Sequence, residues 1–287
     1  MVFTHIQLLN RLSCPAESPT ESVGAPCEVS GLEPVFVSGR DTSNGAGDLP
    51  LDLALLPVDH AEIHPRSRIV AFTDPSSPAA DRFRYLRMQL QGFQAHAKSR
   101  TLLITSPLPG DGKSTTALNL ATILAEGGKR KVLLIEADLH QPSLAKTLRI
   151  SARPGFAECQ EEELDPLLAI RRISPLQWFL MQAGKSRNNP AEILQSDRCL
   201  TTIKAVASYF DWVVLDAPPV APLTDAISLA RFTDGCLFVV RADRTPKPAI
   251  EEAIRLIGEN RIIGVVLNGA TGVSRLYSRY SRYYRPM

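Results

Sequence analysis

The chain has 287 residues, 44% of them hydrophobic, with 32 Lys and Arg against 30 Asp and Glu for a net charge of +2. That is enough apolar material to bury a full core, and so even a balance gives no general attraction to nucleic acid. Cys14, Cys27, Cys159, Cys199 and Cys236 show no C-x-x-C spacing, and there is neither an apolar run of about 20 residues nor a cationic start before a long apolar region. Scattered thiols of a reducing compartment, and a cytoplasmic chain without spanning helix or secretory signal, are therefore expected.

Residues 1–66 are rich in Pro, Ser, Gly and acidic residues, with only short apolar pieces at 35–37 and 51–56. They read as a flexible or partner-docking extension. From residue 67 the pattern changes. Phe83, Leu86, Leu90, Phe93 and Ala97 recur at spacings of three and four and predict an amphipathic helix over 79–97. Asp81, Arg84 and Arg87, three apart on another face, read on spacing alone as a solvated charged surface.

The apolar run 101–105 leads into Ser-Pro-Leu-Pro-Gly-Asp-Gly-Lys-Ser-Thr at 106–115, and 116–125 is apolar and helix-forming up to Gly127 and Gly128. This is strand, loop and helix in the order of a phosphate-binding loop. Gly110 and Gly112 let backbone N–H groups close around phosphate oxygens, the helix N-terminus adds its positive dipole end, Lys113 reaches the β- and γ-phosphates, and the Ser114 hydroxyl suits Mg²⁺. The first glycine of the common G-x-x-x-x-G-K-S/T pattern is replaced by Pro107.

Two strand ends add carboxylates. The run 132–138 finishes in Glu136 and Asp138, two residues apart and so on one side of the strand, and 211–216 finishes in Asp216. Ligands of open parallel sheets bind beyond the carboxyl ends of the strands, where these groups would meet a metal and phosphates held by Lys113 and Ser114. Residues 235–240 and 261–267 read as continuous apolar parallel strands, with helices around 225–231 and 247–259. Asn268 ends the last strand, where an amide can read a purine edge or simply serve a turn; alone, the turn is favoured. The alternation predicts one α/β, doubly wound, mainly parallel domain of P-loop NTPase type over 67–270.

The final eleven residues carry four of the six tyrosines, Tyr277, Tyr280, Tyr283 and Tyr284, interleaved with arginines and free of acidic residues. No helical or strand periodicity is present over this tail, residues 271–287. On composition alone a basic aromatic tether or a frayed end ranks above a phosphorylation cluster. The phosphate-binding loop upstream reverses that ranking.

The loop 109–116, the segments 132–142, 189–194, 213–220 and 264–268 and the tyrosine cluster together resemble, in matching order over about residues 67–287, the bacterial tyrosine kinases of capsule and exopolysaccharide synthesis. Those kinases are relatives of the partitioning and cell-division ATPases with deviant phosphate loops, and Pro107 is usual among them. The resemblance implies ATP with Mg²⁺ as phosphoryl donor, bound by Gly110, Asp111, Gly112, Lys113, Ser114 and Thr115 with Asn268 near the adenine. It implies metal at Ser114, Asp138 and Asp216, and catalysis by Lys113, Glu136, Asp138 and Asp216. It further implies autophosphorylation of the tail tyrosines and a ring of subunits with Asp81, Arg84 and Arg87 at the interface. The implied partners are a membrane-anchored polysaccharide co-polymerase, which brings the kinase to the inner face of the membrane, and a tyrosine phosphatase. Three residues depart from the family pattern: Glu136 stands for an aspartate, His140 for an arginine and Asp81 for a glutamate. The first two bear on the rate of phosphoryl transfer, because in-line geometry depends on placement. The alternatives are a partitioning-type ATPase acting as a spatial organiser, which does not need a tyrosine tail, and a catalytically weak nucleotide-binding regulator.

Overall fold

The computed structural model describes residues 4–8, by backbone alone, and 53–270 apart from 66, 98, 163 and 223. The tail with Tyr277, Tyr280, Tyr283 and Tyr284 lies outside the described residues, as does most of the expected N-terminal extension.

In chain order the elements are β1 (Thr4–Leu8), β2 (Val58–His60), α1 (Val70–Thr73), α2 (Pro78–Ala97), β3 (Thr101–Thr105), α3 (Lys113–Leu124), β4 (Val132–Glu136), α4 (Leu144–Leu148), α5 (Phe156–Glu161), β5 (Ile170–Ser174), β6 (Trp178–Met181), α6 (Pro190–Gln195), α7 (Asp197–Ala207), β7 (Trp212–Asp216), α8 (Asp225–Arg231), β8 (Gly235–Arg241), α9 (Lys247–Ile257) and β9 (Ile262–Asn268). Among the described residues the strands form one nine-stranded sheet in the order β1-β9-β8-β3-β7-β4-β6-β5-β2. From β9 to β6 every neighbour is parallel; β1 runs antiparallel to β9, and β5 antiparallel to β6. This is the expected α/β architecture with a mainly parallel sheet. β3, β4 and β7 are buried at every position, as strands covered on both faces must be, which is why their sequences run apolar without alternation.

Residues 1–66, expected to form an extension, supply two strands to this sheet: β1 pairs Thr4 with Asn268, and β2 pairs Val58 with Arg172. β1, Thr-His-Ile-Gln-Leu, carries only two apolar residues and so lacks the continuous apolar run that marks β3, β4 and β7, and β2 has only three residues. The helix after the phosphate-binding loop also differs from expectation at both ends. α3 begins at Lys113 and closes at Leu124, before the glycine pair, because Glu126 already takes a left-handed backbone (φ 50°) ahead of Gly127 and Gly128.

On one face, α2 lays Phe83, Leu86 and Leu90 into the core as the spacing predicts, whereas Phe93 is only half-buried. Burial of each leucine is worth about 1.5–3 kcal/mol. α3 is buried along most of its length, and the Asn119 side chain inside it joins α3 to α1: its oxygen accepts from Ala71 N at 3.0 Å and its nitrogen donates to Arg68 O at 2.7 Å. A buried amide satisfied on both sides fixes the packing of these helices without leaving a polar group unpaired.

Candidate nucleotide site

The phosphate-binding loop lies between β3 and α3 at the carboxyl end of the sheet. Gly110 (φ 84°) and Gly112 (φ 100°) occupy backbone regions that side chains avoid, and a Cβ on Gly112 would overlap the Asn268 amide. Asn268, at the end of β9, donates from Nδ2 to Asp111 O at 2.8 Å. The Asp111 carboxylate accepts from Leu108 N at 3.1 Å and from the Thr245 hydroxyl at 2.8 Å. Burial raises the Asp111 carboxyl above the usual range, while Thr245, Leu108 and Arg241 oppose that shift. The loop is therefore braced by the ends of β8 and β9. Thr245, a hydroxyl two dozen residues before the last strand end, carries no sequence motif; Asn268 is marked by its place at a strand end, and its nitrogen binds the loop.

Lys113 opens α3, and its ammonium lies 2.8 Å from Asp138 Oδ2. The other oxygen of Asp138 accepts from Gln141 N at 3.0 Å, closing a turn just past β4. Asp216, at the end of β7, is 1% exposed; no hydrogen bond of ordinary geometry reaches its carboxylate oxygens, and the Ser114 hydroxyl makes only a weak one. Burial pushes its carboxyl up to about 7; Lys113 and the Ser114 hydroxyl pull it down, and Glu136 and Asp138 push it further up. Lys113, Asp138 and Asp216 are thus brought together as the strand ends predicted.

Glu136 behaves differently. One of its oxygens accepts from Ser143 N at 2.5 Å and Leu144 N at 2.7 Å, the first turn of α4, and the other accepts from Ala183 N at 3.2 Å. Expected beside Asp138 at the chemistry, it spends both oxygens on backbone N–H groups. The extra methylene gives it that reach. Burial raises its carboxyl, these three bonds oppose the shift, and Asp138 adds to it.

His140 lies in the same turn as Asp138, and its Nε2 is 2.7 Å from Oδ2 of Asp225, which is fully buried in the first turn of α8. Asp225 had no sequence signal beyond a helix-start carboxylate. On α2, Arg84 pairs with Asp81 at 2.6 Å and donates to Pro75 O, while Arg87 lies 3.6 Å from Glu126. All three charged groups have partners within the chain.

A metal and nucleotide fit these residues. At a fully buried carboxylate beside a lysine and a helix-start hydroxyl, a bound cation would offset the cost of burying the charge. Among the described residues no cluster of three or more His, Cys, Asp or Glu makes a closed metal cage, so a cation here would take the rest of its shell from phosphates and water. Among the described residues no helix is long and apolar enough to cross a membrane.

A strand, a glycine loop closing on a helix start, and acidic ends on two flanking strands define a P-loop NTPase. The ParA family model, described as NUBPL iron-transfer P-loop NTPase, matches residues 98–274, and the chain belongs to that family. Its relatives include bacterial tyrosine-protein kinases and a polysaccharide biosynthesis transport protein. It is 28% identical over 217 residues to the tyrosine-protein kinase YwqD of Bacillus subtilis, covering 75% of this chain and 89% of that one. It is 32% identical over 234 residues to the succinoglycan biosynthesis transport protein ExoP of Rhizobium meliloti, covering 76% of this chain and 30% of that much longer one. Among solved structures, the BceF tyrosine kinase domain superposes with a TM-score of 0.61 at 30% identity, covering 68% of this chain and 80% of that one. P-loop NTPases of this class bind nucleotide with Mg²⁺.

Proposed function

We propose that the chain is an ATP-dependent protein-tyrosine autokinase that regulates assembly and export of an exopolysaccharide or capsule. The observation that carries this reading is the contact of Lys113 with Asp138 beside the buried Asp216: a phosphate-seeking cation and two acidic groups at the mouth of a braced P-loop. In this reading residues 110–115 hold the phosphates of ATP, Asn268 lies beside the adenine, and Ser114, Asp138 and Asp216 hold Mg²⁺. The bound ion would draw charge from the transferring phosphoryl group.

Lys113 leaves Asp138 for the phosphates when nucleotide enters. Asp138, relieved of that partner, is the carboxylate placed to accept the phenol hydrogen as the tyrosine oxygen bonds to the γ-phosphorus and the bond to the β-phosphate oxygen breaks. Glu136 serves this step by fixing the start of α4 and residue 183 around the site. The acceptors are Tyr277, Tyr280, Tyr283 and Tyr284. From Asn268 to Tyr277 is about nine residues, a reach of at most ~30 Å, enough for the chain's own site or a neighbour's. A ring of subunits meeting through Asp81, Arg84 and Arg87, a membrane-anchored co-polymerase that holds the kinase at the inner face of the membrane, and a phosphatase that resets the tail complete the reading.

Mass spectrometry of the purified chain after incubation with ATP and Mg²⁺ tests it. Phosphotyrosine between Tyr277 and Tyr284 is expected. Nucleotide binding and hydrolysis without phosphotyrosine would leave a partitioning-type ATPase instead.

A further inference from the structure

The turn that carries Asp138 is fixed at three points. Glu136 precedes it and binds the start of α4, Asp138 closes it on Gln141 N, and His140, between them, reaches away to Asp225. Asp225 is 0% exposed and its second oxygen has no hydrogen-bond partner, so the carboxylate depends heavily on the imidazole for compensation. A carboxylate oxygen accepts; Nε2 of His140 is therefore the donor. Asp225 begins the helix that follows the loop from Asp216, and His140 stands two residues beyond Asp138. The 2.7 Å bond consequently joins the two loops that descend from the two acidic strand ends.

We propose that His140 is a positioning residue: through Asp225 it locks the β4–α4 turn against the start of α8, and so sets where Asp138 stands relative to Lys113 and the acceptor tyrosine. The hydrogen bond of this pair runs between the two loops, whereas the phosphate-binding loop is braced by Thr245 and Asn268. The braces of the phosphate-binding loop are thus distinct from the bond that places Asp138. Loss of the bond lowers the rate of transfer far more than the grip on nucleotide, because a displacement of about 1 Å at a reacting group costs up to roughly 100-fold while the loop's own contacts to phosphate persist. The function of the pair rests on the kinase reading above, but its effect is readable in either activity of the site.

Four variants of the full chain test it: His140→Ala, His140→Gln, Asp225→Ala and the double alanine variant, each checked for folding by circular dichroism. Tail phosphorylation, ATP hydrolysis and affinity for a fluorescent ATP analogue are measured side by side. Expected are a roughly 30- to 100-fold fall in kcat for His140→Ala with KM and analogue affinity within about twofold of wild type. His140→Gln, which keeps a side-chain N–H donor, should recover most of the rate. The double variant should be no slower than either single alanine variant, as for two members of one bond. Wild-type kcat in folded His140→Ala, a parallel loss of analogue affinity, absence of rescue by glutamine, or additive single effects would each overturn the proposal. A wild-type chain that hydrolyses ATP but makes no phosphotyrosine removes the kinase reading; hydrolysis then serves as the rate, and unchanged hydrolysis in His140→Ala overturns the positioning role.

Discussion

The Lys113 ammonium rests 2.8 Å from Asp138 Oδ2, with both side chains mostly shielded from water. Without nucleotide the lysine neutralises an acidic pocket; with nucleotide it must exchange that partner for phosphate. Lys113→Ala should therefore leave a folded chain that binds the ATP analogue weakly and phosphorylates at least about 100-fold more slowly. The same substitution leaves Asp138 and Asp216 facing each other without a cation, so its Tm should drop further below wild type at pH 8 than at pH 5. Calorimetry at the two pH values together with a radiolabelled ATP assay checks both halves. Wild-type transfer by this variant would remove Lys113 from the phosphates.

Glu136 gives a contrasting outcome. Glu136→Gln turns one of its acceptor oxygens into an amide that confronts backbone N–H groups, so stability should fall by about 1–3 kcal/mol along with the rate. Glu136→Asp, a methylene shorter, should fail to reach both α4 and Ala183 and show the same paired loss. Denaturant titration beside the kinase assay separates this from a base, whose removal would slow transfer at unchanged stability.

Asp216 makes the empty chain sensitive to pH. Its carboxyl is raised to about 7 in the fold from an ordinary 3.8, so the folded chain binds the extra proton between those values. Stability from this group is then greatest in acid and declines as pH climbs from about 4 to 7, by about 4 kcal/mol at most. In EDTA, Asp216→Asn should raise Tm at pH 8, have much less effect near pH 5, and abolish transfer. Parallel Tm–pH curves for the two chains would contradict the assignment.

Arg84 and Arg87 separate a surface effect from a folding effect. Arg84→Glu places a carboxylate one turn from Asp81 on an exposed face, where the cost to the isolated fold is a few tenths of a kcal/mol, about 0.2–0.5. Light scattering should nevertheless show a smaller assembly if this face joins subunits. Arg87→Glu instead meets Glu126 and should lower Tm as well. An unchanged mass for Arg84→Glu speaks against an interface here.

Replacing Tyr277, Tyr280, Tyr283 and Tyr284 together with Phe should abolish most phosphotyrosine while ATP hydrolysis persists, since the phenols accept the phosphoryl group and do not build the site. Each phosphate adds about −1.5 to −2 charge, so the wild-type tail should also move to a more acidic isoelectric point during incubation. Phosphotyrosine found chiefly at Tyr85 or Tyr209 would relocate the acceptor.

The parts legible in the sequence are those whose constraint is local. Strands buried on both faces announce themselves as apolar runs, the loop by its glycines and lysine, and Asp138 and Asp216 by standing at strand ends. Phe83, Leu86 and Leu90 follow from helical spacing alone. What stayed hidden depends on tertiary distance: Thr245 on Asp111 is 134 residues away, and Asp225 on His140 is 85. Glu136 shows the same limit in reverse. Its position was evident, but whether a carboxylate there meets solvent, metal or backbone is decided by where α4 and Ala183 come to rest.

Among the described residues both edge strands of the sheet precede the phosphate-binding loop in sequence, β1 beside β9 and β2 beside β5. Shortening the chain to begin at residue 67 would strip both at once. It would bare the stretch of β9 from Gly264 to Asn268 that β1 now pairs, a row of unpaired N–H and C=O groups that is a template for pairing with other chains. A shortened kinase is accordingly prone to self-association through the sheet, and its apparent size in solution would then report a cut edge in place of a natural assembly.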